Sequence, residues 1–168
     1  MSFLSPVPLF DTHTHFDVSD FDADREELAL KAKQAGVDAL ILIGFLQERF
    51  DTLIQTHLAL NKLKDAPKSY LAPGLHPFYI EQHQTQHLDA LEKVLMENDC
   101  VAIGEIGLDT FLKQHKQADM LEKQKRYFSR QIEMAQHFDK PILLHIRKAH
   151  AETLAILKKH QFKQGGIA

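Results

Sequence analysis

The sequence contains no tryptophan, a single cysteine and no excess of positive charge. Its 168 residues include one cysteine, Cys100, which excludes an intrachain disulfide and predicts a reducing, cytoplasmic setting. A formal net charge of −3 provides no broad basic field for binding nucleic acid through counterion release. A nucleic-acid substrate would therefore have to be held locally. No apolar stretch approaches the ~20 residues that a membrane span needs, so no membrane association is expected.

What the chain does contain is a series of short apolar runs at even intervals: "PLFDTH", "DALILIG", "SYLAPG", "CVAIGE" and "PILLHI". Several are continuously hydrophobic, which is typical of parallel strands buried on both faces. Amphipathic stretches lie between them, and the first, "DADREELALKAKQAG", ends at Gly36, where a left-handed helix cap is expected. The pattern predicts five βα units in one domain, residues 1–168, and either a (β/α) barrel or an open doubly wound sheet. The terminal "KQGGIA" resembles the opening of a sixth strand.

The stretch "LFDTHTHFD" places His13 and His15 at the end of the first predicted strand, between Asp11 and Asp17. Residues two apart on a strand point to the same face, so both imidazoles would aim at one spot. Imidazole is the commonest metal ligand in proteins, and a converging pair suggests a metal site. The alternative is a solvated strand end that carries histidines without function.

Three further residues of metal-binding type stand at equivalent places in later units: His76, Glu105 and His145. Active sites of barrels lie at the carboxyl ends of the strands, so the fold would bring these side chains together. Read singly, His76 could be a turn histidine and His145 a core histidine. Glu105 follows an apolar strand, where a carboxylate is costly unless it is paired or metal-bound.

Some polar residues have simple structural interpretations beside functional ones. Arg147 and Asp109 could be ordinary salt-bridge partners, or could clamp phosphate and support ligands. Cys100 is expected to pack as a small hydrophobe. The remaining helix-region histidines are interpreted as exposed: His57, His83, His87, His115, His137 and His160.

The segments "FDTHTHFD", "GLHP", "AIGEIGLD" and "KPILLHIRKA" resemble, in order and spacing, those of the TatD-type metal-dependent DNases. These are TIM-barrel hydrolases of the amidohydrolase superfamily, and the resemblance spans residues 9 to about 150. "THTH" departs from the family's more usual Thr-His-Cys-His. The resemblance implies metal binding by His13, His15, Glu105 and His145, with Glu105 bridging two ions. It implies catalytic roles for Glu105, His76 and Arg147, and supporting roles for Asp11 and Asp109.

The activity that the resemblance implies is hydrolysis of phosphodiester bonds, in DNA from its 3′ end, with two divalent ions of zinc, magnesium or manganese. Such ions activate water and stabilise charge on a phosphoryl oxygen. Two alternatives stay open. One is an amidohydrolase-like activity on a small ester, amide or phosphoester, because one barrel supports many chemistries. The other is an inactive metal-binding module.

The length of the chain bears on this choice. A closed barrel needs eight strands and ~250 residues, whereas five units and the start of a sixth strand are expected here. The family pattern includes another histidine after the sixth strand and an aspartate after the eighth, and 168 residues accommodate neither. We expect the sequence to be part of a longer protein. Alternatively, the chain could self-associate and so cover its open barrel edges, or it could be a truncated relic.

Overall fold

The computed structural model describes residues 7–168 and contains the alternating strands and helices that the sequence predicts. The strands are β1 (Leu9–Thr14), β2 (Val37–Ile43), β3 (Lys68–Ala72), β4 (Ile103–Asp109), β5 (Ile142–Arg147) and β6 (Gly166–Ile167). The helices are α1 (Arg25–Gln34), α2 (Phe50–Leu60), α3 (Thr85–Glu97), α4 (Ala118–His137) and α5 (His150–Lys159). The five βα units and the sixth strand are confirmed.

All strand pairs are parallel, and the strands lie side by side in chain order. They form two three-stranded sheets, β1-β2-β3 and β4-β5-β6. The sheets meet where Leu71 bridges to Cys100 and where the Glu105 amide donates to the Gly44 carbonyl over 2.9 Å. A doubly wound sheet reverses its strand order at a switch point, and these strands do not. The architecture is therefore that of a partial TIM barrel rather than of a doubly wound sheet.

Close backbone approach explains two of the glycines that mark strand ends. A Cβ atom on Gly74 would lie 2.5 Å from the carbonyl carbon of Gly104, and one on Gly44 would lie 2.6 Å from the Gly74 nitrogen. Side chains at these positions would push the strand ends apart. The expected left-handed cap is also confirmed, because Gly36 follows α1 with a φ of +98°.

The apolar residues bury both faces of the strands. Along β2, Leu40 and Leu42 join the larger core, while Ile41 and Ile43 join a smaller cluster, as the alternation of a strand requires. Cys100 is buried as expected, and burial raises the pKa of its thiol to about 12. Across residues 7–168, no helix combines the length and apolar character that crossing a membrane requires.

Candidate metal centre

The structure brings five of the predicted site residues together at the carboxyl ends of the strands. His13 lies at the end of β1 and His15 directly after it, and His76 lies in the loop after β3. Glu105 lies in β4 and His145 in β5. Because the strands are parallel and adjacent, residues far apart in sequence arrive at one edge of the sheets.

The Glu105 carboxylate lies at the centre of this group. Its Oε2 atom is 3.2 Å from His13 Nε2, 3.8 Å from His15 Nε2 and 3.3 Å from His76 Nε2. Its Oε1 atom is 3.1 Å from His145 Nδ1. Four imidazoles thus surround one carboxylate, and we call these five residues the Glu105 cluster.

Asp109, on the same strand as Glu105, orients His145. The Asp109 side chain is buried, and its Oδ2 atom is 2.9 Å from His145 Nε2. Both ring nitrogens of His145 face carboxylate oxygens: a protonated ring donates from both, whereas a neutral ring donates its Nε2 proton to Asp109 and leaves Nδ1 free to ligate a metal ion. Burial alone would lower the pKa of His145, but the hydrogen bonds to Glu105 and Asp109 raise it.

The charge on Glu105 is stabilised by its histidine neighbours. Burial opposes ionisation, yet the hydrogen bonds from His145 and His76 and the electrostatic attraction of the neighbouring imidazoles hold the pKa of Glu105 well below its usual range. Glu105 therefore stays an anion across the physiological range, which is the form that ligates a metal ion.

His76 presents a defined tautomer to Glu105. Its Nδ1 atom accepts the Phe78 amide hydrogen over 3.0 Å, so in the neutral ring the proton is on Nε2, which faces the carboxylate. Burial lowers the pKa of His76, although Glu105 partly opposes this. The ring is consequently neutral at physiological pH.

Two sets of side chains in the cluster could each hold a metal ion. One set is His13, His15 and Glu105, and the other is His76, Glu105 and His145, with ligand atoms within 4.8 Å of one another in each set. Imidazole nitrogens and a shared carboxylate are donors that suit borderline divalent ions such as zinc. The residues present therefore fit a divalent metal. His76, to which the resemblance gave a catalytic role, could ligate through Nε2 only if its proton moved to Nδ1 and the hydrogen bond from Phe78 were lost.

Two predicted site residues stand apart from the cluster. The Arg147 guanidinium stacks 3.5 Å from the centroid of the Phe111 ring, and the Arg147 residue is solvent-exposed. Asp11 accepts the His13 amide hydrogen over 3.0 Å. Within residues 7–168, no hydrogen bond or ion pair joins either side chain to Glu105. Asp11 thus supports the backbone of His13 rather than an imidazole.

One face of α4 supports the cluster through three buried residues, Gln124, Tyr127 and Gln131, which we call the α4 brace. The Gln124 amide accepts from the Asp109 backbone N–H over 2.8 Å and donates to the Asp109 carbonyl over 2.9 Å. The Gln131 amide makes the same pair of bonds with Leu75, over 2.8 and 3.2 Å. Each glutamine thus satisfies the backbone of a residue that is in, or next to, the site.

Tyr127 contacts the cluster indirectly, through His83. The expectation that the His83 side chain is exposed was wrong, because it is buried. The His83 ring stacks on Tyr127 at a centroid distance of 5.6 Å, and its Nε2 donates to the His76 carbonyl over 2.9 Å. Burial lowers the pKa of His83 to about 4. His115 is buried as well, so the interpretation of it as exposed was also wrong.

The fold is a partial (β/α) barrel, and histidines and a carboxylate gather at the ends of its strands. This combination is typical of barrel proteins that bind metal ions. Residues 10–168 match the TatD-related DNase family, and the chain belongs to that family. It is 34% identical over 159 residues to the uncharacterised metal-dependent hydrolase YjjV of Escherichia coli K12. It is 29% identical over 150 residues to the 3′–5′ ssDNA/RNA exonuclease TatD of Citrobacter koseri.

Solved structures agree with this assignment. The E. coli TatD homologue YjjV superimposes with a TM-score of 0.76 at 35% identity, covering 91% of this chain and 56% of that one. A TatD-family hydrolase from Entamoeba histolytica gives a TM-score of 0.82 at 21% identity and supports the fold. The curated matches cover 94% and 89% of this chain, but only 58% of YjjV and 54% of the C. koseri exonuclease. The chain thus spans little more than half the length of these relatives.

Proposed function

We propose that this chain carries the metal centre of a hydrolase that cleaves phosphodiester bonds in single-stranded DNA, releasing nucleotides from the 3′ end. The observation that carries the proposal is the Glu105 carboxylate shared by two histidine sets, with ligand atoms within 4.8 Å in each. The relatives named as exonucleases support the choice of substrate. A free, buried Cys100 supports a cytoplasmic location.

The chain's own residues have distinct parts in this proposal. Glu105 and the histidines would hold one or two divalent ions, and Asp109 keeps His145 turned toward Glu105. A bound divalent ion supplies Lewis acidity and a more acidic water molecule. Arg147, opposite Asp109 in the β4–β5 pairing, offers an exposed cation that suits phosphate.

The test is release of nucleotides from a single-stranded oligodeoxynucleotide with added Mg²⁺, Mn²⁺ or Zn²⁺. We expect release by the native chain and a loss of more than about 100-fold in the Glu105→Gln variant, since a metal ligand matters at least as much as the partners behind it. Glu97→Gln, at an exposed glutamate at the end of α3, is the matched control and should keep full activity.

Three results would contradict the proposal. Equal nucleotide release by the native protein and Glu105→Gln would place the chemistry elsewhere. Hydrolysis confined to small esters or amides would support the amidohydrolase-like alternative. Tight metal binding without hydrolysis of any substrate would favour an inactive metal-binding module.

A further inference from the structure

A cleft of about 260 Å³ opens beside the Glu105 cluster. Its lining residues are His15, Val18, Phe45, His76, Phe78 and Tyr79. His15 and His76 also face Glu105, so these two residues form the boundary between the cleft and the candidate metal centre. A ligand whose phosphate lies at the cluster would extend its neighbouring group into this cleft.

Aromatic rings form most of the cleft wall. The Phe45 and Tyr79 rings lie 5.6 Å apart with their planes inclined by 36°, and Phe78 meets Tyr79 edge-on at 5.2 Å. Phe78 is 40% exposed, and its amide hydrogen bond to His76 fixes its position relative to the cluster. An exposed ring held beside a polar site is a surface that a flat ligand can cover.

Charge considerations favour the same kind of ligand. None of the lining residues is acidic, and the nearby Arg49 guanidinium, 5.9 Å from the centroid of the Phe45 ring, is already paired with the buried Asp17 carboxylate over 3.1 Å. The chain as a whole has a net charge of −3, so general electrostatic attraction does not hold a polyanion. Stacking of bases on aromatic side chains supplies affinity without such a field and tolerates any base.

We propose that this aromatic cleft stacks a nucleobase of a single-stranded nucleic acid whose adjacent phosphate lies at the Glu105 cluster. The inference rests on the proposed function and adds to it a reason for single-stranded substrates. A base within a duplex is already stacked and paired, so it must leave its stack before it can enter the cleft. The base-binding wall is Phe45, Phe78 and Tyr79.

The test uses a short single-stranded oligodeoxynucleotide with phosphorothioate linkages and 2-aminopurine at its 3′ end, whose fluorescence falls when the base stacks. A second oligonucleotide has an abasic 3′ nucleotide. With the native protein and Mn²⁺, we expect fluorescence quenching and about ten-fold tighter binding of the intact strand than of the abasic strand. Binding is measured by fluorescence anisotropy of a dye at the 5′ end.

Variants locate the effect. Phe78→Ala should abolish the quenching and bring the two affinities together, whereas Phe78→Tyr should retain both effects. Phe10→Ala is the matched control, because Phe10 is 54% exposed and lies outside the lining of the cleft. It should leave the ratio of the two affinities unchanged.

The outcomes separate this inference from the proposed function. Equal binding of intact and abasic strands, or no binding of either, would overturn the inference. Equal binding together with cleavage of an unmodified strand would overturn the inference and leave the proposed function standing. Discrimination and quenching without cleavage would support the cleft as a base-binding site and count against the hydrolase.

Discussion

The two sides of the candidate metal centre differ in how firmly the chain holds them. On the side of β4 and β5, the side chains of Glu105 and Asp109 are 8% and 0% exposed. On the side of β1, the side chains of His13 and His15 are 51% and 36% exposed. We call the first group, with His145, the braced side, and the two β1 histidines the open side.

The difference follows from the position of the strands. β1 is an edge strand that pairs only with β2 in the described sheet, whereas β4 packs directly against α4. Gln124 holds the backbone of Asp109, which in turn holds His145. The charged part of the site is therefore fixed before any ligand arrives, and the exposed histidines are those that can still adjust.

The largest effect on this comparison is expected from Glu105→Gln, because Glu105 belongs to both candidate metal-binding sets. An amide has one acceptor oxygen and no charge, so both histidine sets lose their common ligand. We expect divalent-metal affinity to fall by more than about 100-fold, measured by calorimetric titration with Zn²⁺. An affinity within a few-fold of the native protein would show that Glu105 is not the shared ligand.

A second prediction concerns pH and His83, which binds the His76 carbonyl and stacks on Tyr127 of the α4 brace. The pKa of His83 falls from 6.5 to about 4 on folding. Between these values the unfolded chain binds a proton that the folded chain does not, so His83 favours folding above pH 6.5 and this advantage is lost as the pH falls toward 4. The loss amounts to at most about 3 kcal/mol of unfolding free energy.

The measurement is urea unfolding of the metal-free protein from pH 7 to pH 4, compared with His83→Phe. Phenylalanine keeps a ring against Tyr127 but binds no proton, so the decrease in stability should be smaller in the variant. Equal decreases in both proteins would mean that folding does not lower the pKa of His83.

Much of the centre was predictable because the sequence repeats one structural unit. Strand ends recognised from apolar runs place His13, Glu105 and His145 at one edge, and parallel pairing brings them together. What the strand pattern could not predict is the contact made by each side chain. Arg147 stands at the right strand end, yet its guanidinium stacks on Phe111.

The α4 brace escaped prediction because a glutamine on a helix normally faces water. The signal was present in its spacing, since Gln124 and Gln131 fall on the same helix face as the apolar residues Phe128 and Ile132. The sequence gives less indication that His83 is buried, because it lies in the polar stretch "EQHQTQH", where no apolar periodicity indicates burial. The backbone partners of Gln124 and Gln131 lie 15 and 56 residues away, whereas that of His83 lies only seven residues away.

The third prediction tests whether the α4 brace makes the braced side firm. Gln124→Leu introduces an apolar side chain of similar size but leaves the N–H and C=O of Asp109 without the Gln124 amide. We expect a loss of about 1–3 kcal/mol in unfolding free energy, measured with urea. Gln136→Leu, which removes one half-buried bond to the His160 carbonyl, is the control on the same helix and should cost less. Equal losses of unfolding free energy in the two variants would mean that the α4 brace stabilises the fold no more than a half-buried hydrogen bond elsewhere on α4.

The smallest effect is expected on the open side. His13→Ala removes an exposed imidazole 3.2 Å from Glu105 and leaves His15 and the second histidine set in place. Zn²⁺ affinity should fall by about ten-fold, less than in Glu105→Gln, with no change in the urea midpoint of the metal-free protein. His137→Ala, at an exposed histidine at the end of α4, should change neither value. If His13→Ala weakened Zn²⁺ binding as much as Glu105→Gln, the open side would contribute as much to metal affinity as the braced side. Burial of a ligand would then not determine how much that ligand contributes to affinity.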